Sequence, residues 1–388
     1  MAKLMVVVSD RISNIIEKGE LIDGYYNPNG FFSEVIFLIT NDDRPNLEKL
    51  KASVAGANVK VYNVPSGKSL FIKSCGYRPL LLKEWSRDAV QIAQTERPDM
   101  VRCYGNRLSG YVSYRIKEST GIPYILSMHE APDNIVKSEK RFARTIQYAL
   151  LEKMGLLALK NADRVIAVYD SIVDDLKRRK ISKYKVIHNA VNGKHLVKKE
   201  DYSQKKERLR IVSVGRLIRI KNPENLIKAV AADENLELDV VGNGELREEL
   251  MSLARDLNCT ERIKFIEAIP NDELCEKLQE YDIFAVHDGG IGVSKAVIEA
   301  WLAGMPVIIN EPVVGVTTEF SNENIVMVEN TKEGYAEGIK RLSDAKVREK
   351  LGNSAYEYAI KEFSPDVCAN QIVELCKEVL EERKNLGL

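Results

Sequence analysis

The sequence predicts two doubly wound α/β domains in one chain of 388 residues, and three observations carry that expectation. Short runs rich in Val, Ile and Leu recur along the chain, separated by stretches of helical period. The runs are apolar on both faces, as strands of a parallel sheet covered by helices on each side must be. The pattern also halts at a polar stretch, Lys198–Arg208 (KKEDYSQKKER), and then restarts, in a chain too long for a single hydrophobic core.

In the first half the runs are Leu4–Val8, Val35–Ile39, Val59–Val64, Met100–Tyr104, Tyr124–Met128, Val165–Val168 and Lys185–His188. They assign residues 1–197 to an N-terminal α/β domain. The stretch 198–208 has little to bury and no helical period, so it is read as the interdomain linker. After it come Ile211–Val214, Leu238–Val241, Ile263–Ile266, Ile283–Val286, Val307–Ile309 and Ile325–Val328, which assign 209–363 to a second domain of the same class. Residues 364–388 read as a long amphipathic helix that returns to the first domain. Two such domains would face each other across a cleft and bind ligand at strand-to-helix loops.

Composition narrows the function. Lys plus Arg and Asp plus Glu both number 57, so no global positive charge draws the chain to nucleic acid. The six cysteines are scattered, with no Cys-x-x-Cys pair and no zinc-ligand spacing, which predicts reduced, structural thiols and no metal site. The opening MAKLMVVVSDRISN holds an apolar run too brief for a signal or a membrane span, making the cytoplasm the default compartment. A nicotinamide-dependent oxidoreductase is disfavoured because SDRISN, not Gly-x-Gly-x-x-Gly, follows the first strand.

The strongest chemical signal opens the second domain. A strand ends at Gly215, Arg216 follows at once, and Lys221 comes five residues later, just before a helix introduced by Pro223. Two cations so placed can converge on one anion at the carboxyl edge of the sheet, a pyrophosphate being the natural guest; the alternative is a pair of solvated loop charges. The glycine-rich segment Gly289–Ser294 then leads into the helix Lys295–Ala303, whose N-terminal amides and dipole favour anions, and Gly304 closes that helix. Glu299 lies one turn in, either accepting from ribose hydroxyls or pairing with Lys295 four residues before it. Gly242-Asn243-Gly244 is a tight turn that either admits a nucleoside to the backbone or merely turns.

These residues, in this order, resemble the retaining glycosyltransferases of family 4, the group 1 glycosyl transferases with the GT-B fold of two Rossmann-like domains. The matching segments are VGRLIRIKNPENLIKAV, VGNGELREEL, RIKFIEAIP, YDIFAVHDGG and GVSKAVIEAWLAGMPVI, with RPDMVRCYG, GIPYILSMHE, ADRVIAVYDS and KVIHNAVN in the first half. The resemblance implies transfer of a sugar from a nucleotide-diphosphate sugar with retention of anomeric configuration, without a metal or any other cofactor. It gives Arg216 and Lys221 the donor diphosphate and the departing charge, and it sets His129 against the donor sugar. Gly215, Gly242, Gly244, Ile269, Gly292, Val293, Ser294 and Glu299 would complete the donor site, with Glu299 on the ribose. Lys18, Gly19, Tyr104 and Glu130 fall on the acceptor side, where the acceptor is a carbohydrate, a lipid-linked sugar or a small molecule. His188 and His195 read as structural, and His287 stands where the family has a proline, with its role undecided.

The sequence departs from the family pattern in two places: the Gly-Gly loop often found after the first strand is missing, the chain reading Ser9-Asp10-Arg11 and then Glu17-Lys18-Gly19-Glu20, where Lys18-Gly19 could act in its place, and the second departure bears on chemistry. The usual first glutamate, eight positions before the second, is Ile291 here. The donor is unusual, or another carboxylate such as Asp288 substitutes, or the chain binds nucleotide-sugar without catalysis. A sugar phosphorylase or epimerase on the same fold is the remaining alternative. The basic segment 137–160 reads as a domain-surface helix packed on its apolar side, or else as peripheral contact with the inner face of a membrane.

Overall fold

The computed structural model describes residues 2–17, 21–67, 70, 78–129, 142–191, 193–267, 269–290, 292–312, 318–385 and 387, with only the backbone of 142–150. Lys18, Gly19, Glu130 and Ile291 therefore lie outside the described residues. The chain divides into two compact units, Met1–His188 with Cys368–Leu388, and Asn189–Val367.

Each of the predicted runs forms a strand, with bounds displaced by no more than two residues. The first unit holds β1 (Lys3–Val8), β2 (Glu34–Ile39), β3 (Asn58–Asn63), β4 (Met100–Tyr104), β5 (Tyr124–Met128), β6 (Arg164–Ala167) and β7 (Tyr184–Val186). They form one sheet in the order β3-β2-β1-β4-β5-β6-β7, and its paired strands are parallel. Five successive residues of β1 and of β2 are buried, as expected where helices cover both faces. The edge strand β3 alternates between exposed and half-buried residues, and Lys60 on it pairs with Glu34 and Glu96.

The second unit repeats the plan. Its strands β8 (Leu209–Val214), β9 (Leu236–Val241), β10 (Ile263–Ile266), β11 (Ile283–Val286), β12 (Val307–Asn310) and β13 (Val326–Val328) run parallel in the order β10-β9-β8-β11-β12-β13. In both sheets the order reverses beside the first strand, between β1 and β4 and between β8 and β11. Ligands of open α/β sheets sit outside the carboxyl ends of the strands at such a reversal.

The division between units falls at His188, ten residues before the linker expected at 198–208. That stretch is polar in composition, yet it is tied into the second unit. Lys199 Nζ donates to the carbonyls of Gln279 and Tyr281, both at 2.8 Å, and the Tyr202 hydroxyl donates to Gly304 O at 2.7 Å. The buried Arg348 guanidinium in turn donates to Tyr202 O at 2.7 Å. Polar side chains with partners can be buried as firmly as apolar ones, and composition does not reveal the partners.

The C-terminal helix spans Pro365–Asn385 and buries Cys368, Val373, Leu375, Cys376 and Val379. Asn29 Nδ2 donates to Asn370 Oδ1 at 2.8 Å, Arg164 pairs with Glu382, and Arg383 Nη1 donates to Asp99 O at 3.1 Å, which fixes the helix to the first unit. In the helix Phe142–Asn161, the buried Leu151 and Met154 pack with Leu82 and Tyr111.

Candidate active site

In the second unit a pocket opens where the strand order reverses. It is lined by Ser213, Val214, Gly215, Leu217, Lys221, Pro223, Val286, His287, Asp288 and Ser294. These residues come from the ends of β8 and β11, the loops that follow them, and the start of the helix Lys295–Leu302.

The loop after β8 lies directly on the loop after β9. Gly215 N donates to Val241 O at 3.1 Å, Leu217 N to Asn243 O at 2.9 Å, and Leu246 N to Leu217 O at 3.0 Å. Gly242 and Gly244 have φ of 147° and 158°, and a Cβ on either would stand 1.9 Å from Gly215 O or 2.3 Å from Leu217 O. Both glycines are thus required by backbone packed on backbone within the unit. The loop after β8 also meets the loop after β11, because Gly289 N donates to Ile220 O at 2.7 Å.

That junction sets Lys221 against Asp288. Lys221 Nζ lies 3.0 Å from Asp288 Oδ2 in a pair whose side chains are 26% and 10% exposed. Asp288 Oδ1 accepts from Gly290 N at 3.0 Å. The backbone of Asp288 is held from the far side by Asn310, 1% exposed, whose Oδ1 accepts from Asp288 N at 2.7 Å and whose Nδ2 donates to Asp288 O at 3.1 Å. Burial holds the His287 imidazole below its ordinary pKa, against the opposing effects of Asp288's charge and a hydrogen bond with Asn330.

Arg216 is exposed on the turn between Gly215 and the buried Leu217. Ser294 occupies the N-cap position of the helix Lys295–Leu302, and its side chain accepts no bond from the helix's own amides. Glu299, 7% exposed, is buried on the same helix, where solvent would have to be replaced by hydrogen-bonding groups. Val293 is buried in the core beside Val297, and Ile269 packs on that same core, so neither lines the pocket. Gly292, with φ of 87°, lies just before it and does not line the pocket either. Sequence reasoning brought Gly215, Lys221 and Ser294 to this place; it missed Asn310 and treated His287 as undecided.

In the first unit, Tyr104 ends β4 and His129 follows β5. Their rings stack at 5.9 Å with 24° between planes, and Tyr104 also stacks on Tyr25 at 5.9 Å and 22°. Tyr26 meets Tyr104 edge-on at 5.3 Å, and the Arg102 guanidinium, 5% exposed, lies 4.9 Å from the Tyr104 ring centre. Burial pushes the Tyr104 phenol well above its ordinary range. Tyr25 and Tyr26 were missed, their sequence signal being no more than two adjacent aromatics before a turn. His188 Nδ1 lies 3.3 Å from Val168 O and His195 Nδ1 3.4 Å from Glu276 Oε1.

Among the described residues no group of three or more His, Cys, Asp or Glu is placed to hold a metal, and no helix is long and apolar enough to cross a membrane.

Two parallel sheets, with a cation-bearing pocket at the strand reversal of the second, define a doubly wound, Rossmann-like α/β architecture. Residues 196–358 match the family described as Glycosyl transferases group 1, and residues 33–194 match Glycosyltransferase Family 4. The chain belongs to the group 1, family 4 glycosyltransferases, and its fold is GT-B. It is 28% identical to the lipopolysaccharide core biosynthesis glycosyltransferase LpsE of Rhizobium meliloti over 42% of this chain, a match that spans about half (48%) of that protein. It is 22% identical to an uncharacterized glycosyltransferase of Methanocaldococcus jannaschii over 78% of this chain and 81% of that one. Among solved structures it resembles sucrose-phosphate synthase of Thermosynechococcus elongatus (TM-score 0.73, 17% identity, covering 98% of this chain and 100% of that one). It also resembles Anabaena HepE in complex with UDP (TM-score 0.72, 16% identity, 97% and 100%).

Proposed function

We propose that this glycosyltransferase takes its sugar from a nucleotide-diphosphate donor bound in the second unit and transfers it with retention, without a metal ion or other cofactor. The observation that carries this reading is the place of Lys221, whose side chain lines the pocket at the strand reversal together with the N-cap residue Ser294. Arg216, exposed on the same turn, supplies the second cation. The bond that breaks joins the anomeric carbon to a diphosphate oxygen, and two cations with helix amides stabilise the charge left on that oxygen. They do here what a divalent ion does elsewhere.

In this reading Gly215, Gly242 and Gly244 keep the loop backbone compact beneath the donor, while Gly292, Val293 and Ile269 shape its surroundings. Glu299 takes the ribose hydroxyls, and His129 keeps the catalytic role the resemblance implies. Tyr104 keeps its acceptor-side role by resemblance, its own ring being packed among Tyr25, Tyr26, His129 and Arg102. Glu130 belongs to the same side by resemblance, and Lys18-Gly19 stands in for the Gly-Gly loop that the family carries after its first strand and this chain lacks. HepE has been solved with UDP-glucose, which supports a nucleotide-sugar as donor. The acceptor is a carbohydrate, a lipid-linked sugar or a small hydroxyl compound, and the enzyme works in the cytoplasm, with membrane contact through residues 137–160 if the acceptor is lipid-linked.

The test is an assay of purified protein with UDP-, GDP-, ADP- and dTDP-sugars against a panel of acceptors, in the presence of a chelator. Glycoside formed with the donor's anomeric configuration, undiminished by the chelator, is the expected result. Inverted product would remove the retention claim, and chelator-sensitive activity the metal-free one. Ile291, where the family carries a carboxylate, favours a second reading of binding without transfer. Nucleotide binding with neither transfer nor donor hydrolysis would establish that second reading.

A further inference from the structure

The resting pocket already contains an anion for Lys221. The Asp288 carboxylate lies 3.0 Å from its ammonium, largely screened from solvent, and is one of the residues lining the pocket. The pair is built from both sides. Lys221 N donates to Ile218 O at 2.8 Å, and Gly289 N to Ile220 O at 2.7 Å, which fixes the lysine's backbone against the aspartate's loop. Asp288 is held through Oδ1 by Gly290 N and through its peptide groups by the buried Asn310 amide. Neither partner is a long side chain on a free surface, where such a pair would be of little consequence.

We propose that Asp288 is the internal counter-ion of Lys221, a positioning residue that holds the ammonium in place while the pocket is empty and gives it up to the donor diphosphate. This rests on the donor reading above. A diphosphate entering the pocket competes for an ammonium whose charge is already matched, so part of its attraction goes into displacing the carboxylate. The same competition speeds release of the nucleoside diphosphate product. Asp288 thereby sets how tightly the diphosphate is held, with no effect on the nucleoside.

The experiment is calorimetric titration of UDP, GDP, ADP and dTDP, and of the matching nucleosides, into wild type, Asp288→Asn, Lys221→Ala and the double variant. Asp288→Asn is expected to bind the preferred diphosphate about tenfold more tightly, with a steeper loss of affinity as salt rises and no change for the nucleoside. The gain should vanish in the Lys221→Ala background, because the coupling runs through that ammonium. Asp288→Ser serves as a second variant if the asparagine protein does not fold. Unchanged or weaker diphosphate binding in a folded Asp288 variant, or a gain that survives without Lys221, would overturn the inference while leaving the donor site intact. If no diphosphate binds wild type, the donor reading fails and the inference with it.

Discussion

A Cβ on Gly242 would stand 1.9 Å from the carbonyl oxygen of Gly215, so the two loops that flank the candidate pocket lie too close for any side chain at position 242. The positive φ of Gly242 adds a backbone cost to the clash. Gly242→Ala should destabilise the second unit by about 3 kcal/mol or more, since neither backbone segment can move without breaking the bond from Gly215 N to Val241 O. Denaturant unfolding followed by far-UV circular dichroism would read it; an unchanged midpoint would mean the loops are not apposed in solution.

Asn310 should matter although it touches no predicted ligand. Its amide satisfies the peptide N–H and C=O of Asp288 in a buried setting. Asn310→Ala leaves those groups unpaired, at a cost of about 1–3 kcal/mol, and should loosen the Lys221–Asp288 pair as well. Thermal melting checks the first effect and the salt dependence of nucleotide affinity the second.

His287 predicts a pH dependence whose sign follows from its depressed pKa. The unfolded chain takes up the proton more readily than the folded one below the unfolded value of about 6.5. The stability contributed by the neutral ring is therefore present above that value and is lost as pH falls toward the depressed folded one. His287→Gln should flatten the decline of melting temperature between about pH 7.5 and about pH 5. An identical slope in the variant would show that other groups carry the decline.

The five thiols among the described residues should be inert in the native state. Cys103, Cys259, Cys275, Cys368 and Cys376 are buried, and burial pushes Cys103 and Cys275 up to about 12 and Cys376 to about 11. Reaction with a thiol reagent near neutral pH is expected to leave all of them unmodified until the protein is unfolded. Rapid labelling of any one of them would contradict its placement.

Most of the fold was legible because parallel strands buried on both faces spell themselves as apolar runs, Tyr124–Met128 and Ile283–Val286 among them. The unit boundary was not, because Lys199, Tyr202 and Arg348 look like solvated residues and act as buried donors. The candidate pocket was legible in part through Gly215 and Lys221, a spacing local to one strand and its loop. Asn310 lies 22 residues from Asp288 and shares no local pattern with it, so only the sheet register brings them together. The reason for Gly242 and Gly244 was likewise hidden, since the backbone they make room for belongs to a different loop.

Binding of a nucleoside diphosphate through Arg216 and Lys221, in the pocket where β8 and β11 meet, is open to thermal-shift measurement with UDP, GDP, ADP, dTDP and their sugar conjugates on wild type, Arg216→Ala and Lys221→Ala. One base series at about 100 times its dissociation constant should stabilise wild type by about 2.7 kcal/mol, a shift of several degrees, and each variant should lose most of it. Equal stabilisation of wild type and both variants, or none of wild type by any nucleotide, would contradict it.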